Sequence, residues 1–182
     1  MTIQASVKIE DLSSSDIKKS IDTIRNIIIN GINDIKKVIF ICGKDKSDKE
    51  SYRFKISQLL EHNTNYQLAY PEDLFEDLLE GQANNSLLSL EQQLAEAVDL
   101  IILIPESPGS FAELGAFSTR KELAEKMLVL RQNKYKADKS FINHGPIRLV
   151  RSAKGKILDI PHDFDYKNKE HFSEIIKTVK KM

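Results

Sequence analysis

Residues 100–104 read Leu-Ile-Ile-Leu-Ile, five aliphatic side chains in a row. Successive side chains of a strand point to opposite faces, so an unbroken apolar run needs both faces of its sheet covered. That condition is met in the middle of a parallel sheet with helices on either side. A second run, Val38-Ile39-Phe40-Ile41-Cys42, is closed by Gly43 and makes the same demand. The chain is therefore expected to be an α/β protein, doubly wound around a mostly parallel sheet of the Rossmann or flavodoxin-like kind.

The segments between these runs fit that architecture. Ile17, Ile21, Ile24, Ile28 and Ile32 recur at steps of three and four, which predicts an amphipathic helix over 13–32 ending at Gly31. Residues 1–35 are read as a helical extension and 36–182 as the α/β domain. Lys44–Asp48 is a polar loop, and Tyr52, Ile56, Leu59 and Leu60 mark a helix after it. Tyr66–Tyr70 is a short strand stopped by Pro71, which opens another helix carrying Leu74, Phe75, Leu78 and Leu79. A loop over 81–86 precedes a helix over Leu87–Val98. Beyond the central run, the pattern predicts a helix over Phe111–Lys126 and a strand over Met127–Leu130. A polar irregular stretch over 131–147 follows. Short strands are expected at Ile147–Val150 and Ile157–Ile160, around a Lys154-Gly155 turn. Phe172, Ile175, Ile176 and Val179 predict a C-terminal helix.

Composition narrows the function classes. The 27 basic residues balance 27 acidic ones, so the basic excess of a free-standing nucleic-acid binder is missing. Cys42 is the single cysteine, which leaves no disulfide framework and no multi-cysteine zinc site, and it reads as a buried small hydrophobe. The four histidines, 62, 144, 162 and 171, lack metal-ligand spacing. No stretch reaches the ~20 apolar residues of a membrane span, and the N-terminus has no secretory pattern. The cytoplasm is the expected location, with no membrane partner.

In open α/β sheets ligands bind beyond the carboxyl ends of the strands. Two such ends are Cys42-Gly43-Lys44 and the loop in PESPGSFAELGAFS, residues 105–118. If both strands are central, the loops share one crevice. Gly43, Lys44, Ser107, Gly109 and Ser110 are then candidate ligand contacts, with Gly109 allowing close backbone approach. Ser110 and Glu113 have the spacing of a helix capping box, so Glu113 reads either as a cap or as a site carboxylate. Glu106 crowds the same turn. Arg53, early in the helix after the first strand, could reach a phosphate or could be solvated. Glu91 lies on the helix before the central run, and Asp99 at a helix-to-strand turn. Asn143 and His144 fall in the irregular stretch. The glycine-rich dinucleotide and phosphate-loop motifs are absent, as is the elbow of a serine hydrolase.

An apolar strand, a polar Gly-Ser loop and then Phe-Ala-Glu-Leu-Gly resembles the nucleoside 2-deoxyribosyltransferase family. Together with Phe40-Ile41-Cys42-Gly43 and the later SFINHGPIR, it resembles the branch of deoxyribosyltransferase-like effectors that accompany retron reverse transcriptases in anti-phage defence. The similarity covers roughly residues 36–150. The resemblance implies that Glu113 is the carboxylate that attacks or stabilises the anomeric carbon. Glu106 and Glu91 then take the positions of assisting acids, with Glu106 one residue out of register, and Asn143 that of a sugar ligand donated by a neighbouring subunit. The family's first-strand tyrosine is replaced here by Phe40, Ile41 and Cys42, which points to a divergent glycosidase. The displaced Glu106, with Arg53 as a possible phosphate ligand, suggests NAD or a nucleotide as substrate with no separate cofactor, while the resemblance implies a homo-oligomer and a reverse transcriptase with its RNA–DNA hybrid as partners. Little chain follows residue 150, so nucleic-acid contact is expected to run through that partner. Two other functions fit the same pattern: a nucleotide-binding sensor without turnover, and a salvage deoxyribosyltransferase.

Overall fold

The computed structural model describes residues 36–72 and 87–182. The helix expected over 13–32, the face of Leu74, Phe75, Leu78 and Leu79, and the loop over 81–86 lie outside these residues. The elements run β1 (Val38–Cys42), α1 (Tyr52–Asn63), β2 (Gln67–Ala69), α2 (Leu87–Ala97), β3 (Leu100–Leu103), α3 (Pro108–Ser118) and α4 (Lys121–Glu125). They continue with β4 (Met127–Gln132), a 3₁₀ turn (Asn133–Tyr135), α5 (Phe141–His144), α6 (Pro146–Ser152), β5 (Lys156–Ile160) and α7 (Lys169–Lys181).

The five strands form one sheet in the order β2-β1-β3-β4-β5, with every neighbouring pair parallel. This is the doubly wound, flavodoxin-like order. The two-residue alternation of the strands divides the core. Ile39, Ile41, Ile102, Leu128 and Leu130 face Ile56, Leu59 and Leu60 of α1 and Ile175 and Val179 of α7. Phe40, Cys42, Ile101, Leu103 and Val129 face Ala95 of α2, Leu114 and Phe117 of α3, Leu123 and Ala124 of α4 and Ile147 and Val150 of α6. Covering both faces accounts for the unbroken apolar runs. At the foot of the central pair, Asp99 accepts the Val38 N–H at 2.8 Å, so it is the turn residue expected.

Three expectations are corrected. The helix placed over Phe111–Lys126 is two helices, and the first begins earlier, at Pro108. Ser118 and Thr119 turn their hydroxyls back onto the carbonyls of Gly115 and Ala116, which competes with helix continuation. Ile147–Val150, read as a strand, is helix α6, with Pro146 in its first turn. Ile147 and Val150 are buried three residues apart while Arg148 and Leu149 face outward, so the true period is helical. The stretch over 131–147 is also more ordered than expected: β4 extends to Gln132, and a 3₁₀ turn and α5 follow.

The Lys154-Gly155 turn is present. Lys154 adopts a left-handed φ of 73°. A Cβ on Gly155 would stand 2.2 Å from the Ala124 carbonyl oxygen, so only glycine lets β5 approach α4 here. Among the described residues no helix is long and apolar enough to cross a membrane.

Candidate functional site

β1 and β3 are neighbours, with Cys42 opposite Leu103. From β1 the chain passes to β2 on one side, and from β3 to β4 on the other. Such a divergence opens a crevice beyond the strand ends, the usual ligand position in this fold. The loop after Cys42 and the loop after Ile104 meet there, as the sequence predicts.

The two loops are tied by polar side chains. Ser107 caps α3 by accepting the Ser110 N–H at 3.2 Å. Ser110 accepts from the backbone N–H groups of Glu106 at 3.0 Å and Ser107 at 2.9 Å, and donates to the Ser107 carbonyl. The capping box is therefore Ser107 with Ser110, and the Ser110–Glu113 box that spacing allows does not form. Ser107 also reaches across to the Gly43 carbonyl at 3.1 Å.

Glu106 crosses the crevice in the other direction. Its carboxylate accepts the N–H groups of Lys44 at 3.2 Å, Tyr52 at 2.9 Å and Arg53 at 2.9 Å, which closes the first turn of α1. This works because Gly43 has no side chain. A Cβ there would stand 2.8 Å from the Arg53 Cβ and 3.1 Å from a Glu106 carboxylate oxygen. The Lys44 backbone belongs to this knot, while its ammonium turns away to Asp48.

Relieved of capping, Glu113 sits one turn into α3, only 7% exposed. Its carboxyl is pushed up to about 8, first by burial and then by the charge of Glu91. The Arg53 charge and a hydrogen bond from Cys42 pull the other way. Cys42 is fully buried at the end of β1, and its thiol is raised by burial and by Glu113. Glu91, half-buried on α2, is raised by burial and then by Glu72. The structure thus gathers Glu113, Glu91 and Cys42 into one environment, within the field of Arg53 and Glu72.

Arg53 is neither solvated nor open to a phosphate. It is 2% exposed, and Glu72 grips it with both carboxylate oxygens at 2.9 and 2.5 Å. The Lys44 carbonyl accepts from it at 2.9 Å, and the Tyr70 ring lies 5.2 Å from the guanidinium carbon. Glu72 is the residue that sequence reading missed. Beside Pro71 it reads as an acid favouring a helix start, and nothing local marks its long-range partner.

Asn143 lies elsewhere, past the end of β4. Its oxygen accepts from Arg131 at 2.8 Å, and its amide nitrogen donates to the carbonyls of Tyr135 and Asp138. It clasps its own loop. Gly109 is exposed, and among the described residues nothing lies within 4 Å of where its Cβ would stand.

A buried carboxyl raised to about 8 and flanked by a second acid can exchange a proton near neutral pH and, once ionised, stabilise a developing cation. Comparison with known proteins gives the chain, rather than the site, its relatives. Residues 49–182 match the family model described as STM3845 retron effector protein. A protein of retron Ec86 from Escherichia coli, whose name gives it provisional ribosyltransferase and DNA-binding roles, is 53% identical over 122 residues. That alignment covers 67% of this chain and 40% of the relative. A protein of retron Ec73 from the same organism, with the same provisional roles in its name, is 36% identical over 123 residues, covering 64% and 38%. The chain thus spans well under half the length of these relatives, while the family model extends over most of the α/β domain. The chain belongs to the STM3845 retron effector family.

Proposed function

We propose that this chain is the glycosyl-cleaving part of a retron anti-phage effector, an N-glycosidase that acts as a toxin on NAD or on nucleosides and nucleotides. The observation that carries the reading is Glu113: a buried carboxyl at the switch point of the sheet, freed from capping and held near neutrality. The names of the retron Ec86 and Ec73 relatives support a ribosyl-transfer chemistry.

In this reading the ribose enters above Gly109, with its anomeric carbon beside Glu113. The ionised carboxylate bonds to that carbon, or stabilises its oxocarbenium form, as the bond to the base breaks. The base leaves with the bonding pair. A pyridinium ring such as that of NAD becomes neutral in doing so and needs no proton. Water then attacks the anomeric carbon, Glu113 is released, and Glu91 takes the water's proton. Glu106 acts through the loops it fastens rather than on the base. Asn143 spends both ends of its amide on its own loop, in this chain and in any copy of it, so the sugar contact expected of it is not part of this reading, although a homo-oligomer is. Reverse transcriptase and its RNA–DNA hybrid are the partners proposed to control the activity.

A second reading is a nucleotide sensor without turnover. It is favoured by the internal satisfaction of Glu106, Ser107 and Ser110, which leaves few groups to work on a substrate. One assay separates them. The purified chain is incubated with NAD, with nucleosides and with nucleotides, alone and with the retron components, and free nicotinamide or base is measured. Release that disappears in Glu113→Gln is the expected result. Binding without release under every condition would overturn the glycosidase.

A further inference from the structure

Beyond the carboxyl end of β4, on the side of α3 away from Glu113, lies a cleft of about 280 Å³. That is near the lower bound for small-ligand pockets, the scale of one flat ring system. Phe111 and Tyr135 line it and are 39% and 43% exposed, far above what core aromatics show. Arg131 lies in its lining, only 3% exposed. Asp159 holds Arg131 through its Nε–H and one terminal nitrogen, and Asn143 accepts from the other. A guanidinium has five N–H groups, and among the described residues these contacts use three of them.

A second groove, of about 480 Å³, opens from the same place and shares Arg131, Asp138 and Asn143 with the first. Its walls carry Lys136, Lys139, Arg148 and Arg151 against a single lining acid, Asp138. All four cations are exposed, and Lys136 also contacts Asp159 at 3.3 Å. In a chain of zero net charge this is a local concentration of positive potential. An aromatic cleft that continues into a basic groove matches a base joined to a phosphate, since rings stack on rings and phosphates seek lysine and arginine.

We propose that this pair of cavities is a nucleotide-binding site separate from Glu113. The base stacks between Phe111 and Tyr135, with a polar edge toward Arg131, and the phosphate lies against Lys139, Arg148 and Arg151. The site does not depend on the glycosidase reading. It adjoins the crevice through α3, which exposes Phe111 and, about half a turn further on, buries Glu113. The phosphorylated base can come from a free nucleotide or from the end of a single strand.

Titration calorimetry on the full chain tests the proposal with adenosine, AMP and a hexadeoxyadenylate strand. AMP is expected to bind at least tenfold tighter than adenosine, and the difference should shrink as salt rises. Phe111→Ala and Tyr135→Ala should each weaken all three probes about tenfold, whereas Lys139→Glu and Arg151→Glu should weaken AMP and leave adenosine unchanged. All four side chains are exposed, so circular dichroism should show intact folds. Adenosine and AMP also belong to the substrate class proposed for Glu113, so the titrations are repeated in Glu113→Gln, where turnover is removed and the part of AMP binding that Phe111→Ala and Arg151→Glu abolish should persist. A strand that binds tighter than AMP through the same residues identifies nucleic acid as the source, and the reverse order identifies a free nucleotide. The proposal is overturned if no probe binds, if the four variants bind AMP like the parent, if Glu113→Gln abolishes the binding that depends on Phe111 and Arg151, or if the variants change only the oligomeric state.

Discussion

Cys42, fully buried at the end of β1, shares the surroundings of the Glu113 carboxyl on α3, and its thiol draws that carboxyl toward the charged form. Removing it should raise Glu113 further. In Cys42→Ala the rising limb of kcat/KM against pH is expected to move upward by roughly half a unit to one unit. Cys42→Ser, which keeps a donor, should restore the parent profile. Identical profiles in all three proteins would mean that the thiol only packs.

The raised Glu113 makes activity and stability run in opposite directions with pH. Its carboxyl is held at about 8 in the folded chain, against about 4.3 for an unperturbed glutamate. The folded state therefore binds the proton more tightly. This contribution to stability is full below about pH 4 and is lost as pH rises toward 8. Urea unfolding at pH 5 and pH 8 should show a loss of on the order of 2–4 kcal/mol that Glu113→Gln does not share. If the proposed glycosidase holds, kcat/KM should climb over the same interval, because in that reading the carboxylate is the working form.

How far the sequence reveals all this differs between fold and site. Leu100–Ile104 and Val38–Cys42 specify buried parallel strands because two covered faces leave no room for polar residues. The crevice follows once those strands are central. Ile147–Val150 misleads because two β-branched residues outweigh a helical spacing that is visible only with Pro146 as its start. At the site, Glu113 is legible as a carboxylate in the right turn, but its freedom from capping is not. That depends on Ser107 starting the helix three residues ahead of Ser110. The Arg53–Glu72 pair joins residues 19 apart through a guanidinium that only tertiary packing buries, and no local pattern encodes it.

The reassigned cap has its own consequence. Ser107→Ala removes the oxygen that accepts the Ser110 N–H and should cost about 1 kcal/mol in thermal or urea unfolding. Ser110→Ala should cost more, about 1–3 kcal/mol, because it strands the N–H groups of Glu106 and Ser107 in a buried turn. Glu113→Gln, measured near neutral pH, should leave the cap energy untouched. A larger loss from Glu113→Gln than from Ser107→Ala at pH 7 would return Glu113 to a capping role.

Gly43 lets Glu106 and Arg53 close over the β1 loop. In Gly43→Ala the added methyl meets the Arg53 Cβ, which the α1 backbone holds in place, so the helix start must shift. The expected result is a loss of about 1–3 kcal/mol in stability. It comes with faster hydrogen exchange at the Tyr52 and Arg53 amides as Glu106 loses its grip. Unchanged exchange at those amides would show that the loop absorbs the methyl elsewhere.

Glu72 offers a test of the field around Glu113 with the opposite sign to Cys42. Glu72 neutralises Arg53, and its own charge raises both Glu91 and Glu113. In Glu72→Gln one acceptor for Arg53 survives, the charge disappears, and the guanidinium is left to act on Glu113 alone. The Glu113 carboxyl should fall, and the rising limb of kcat/KM should move to lower pH while Cys42→Ala moves it up. Stability should drop by about 1–3 kcal/mol, since a buried arginine loses its charged partner, with Glu72 partly exposed at 31% of its side chain limiting the loss. If the limb shifts upward instead, Glu72 supports the ionised form of Glu113 through the loop it anchors, and the electrostatic account of the site is wrong.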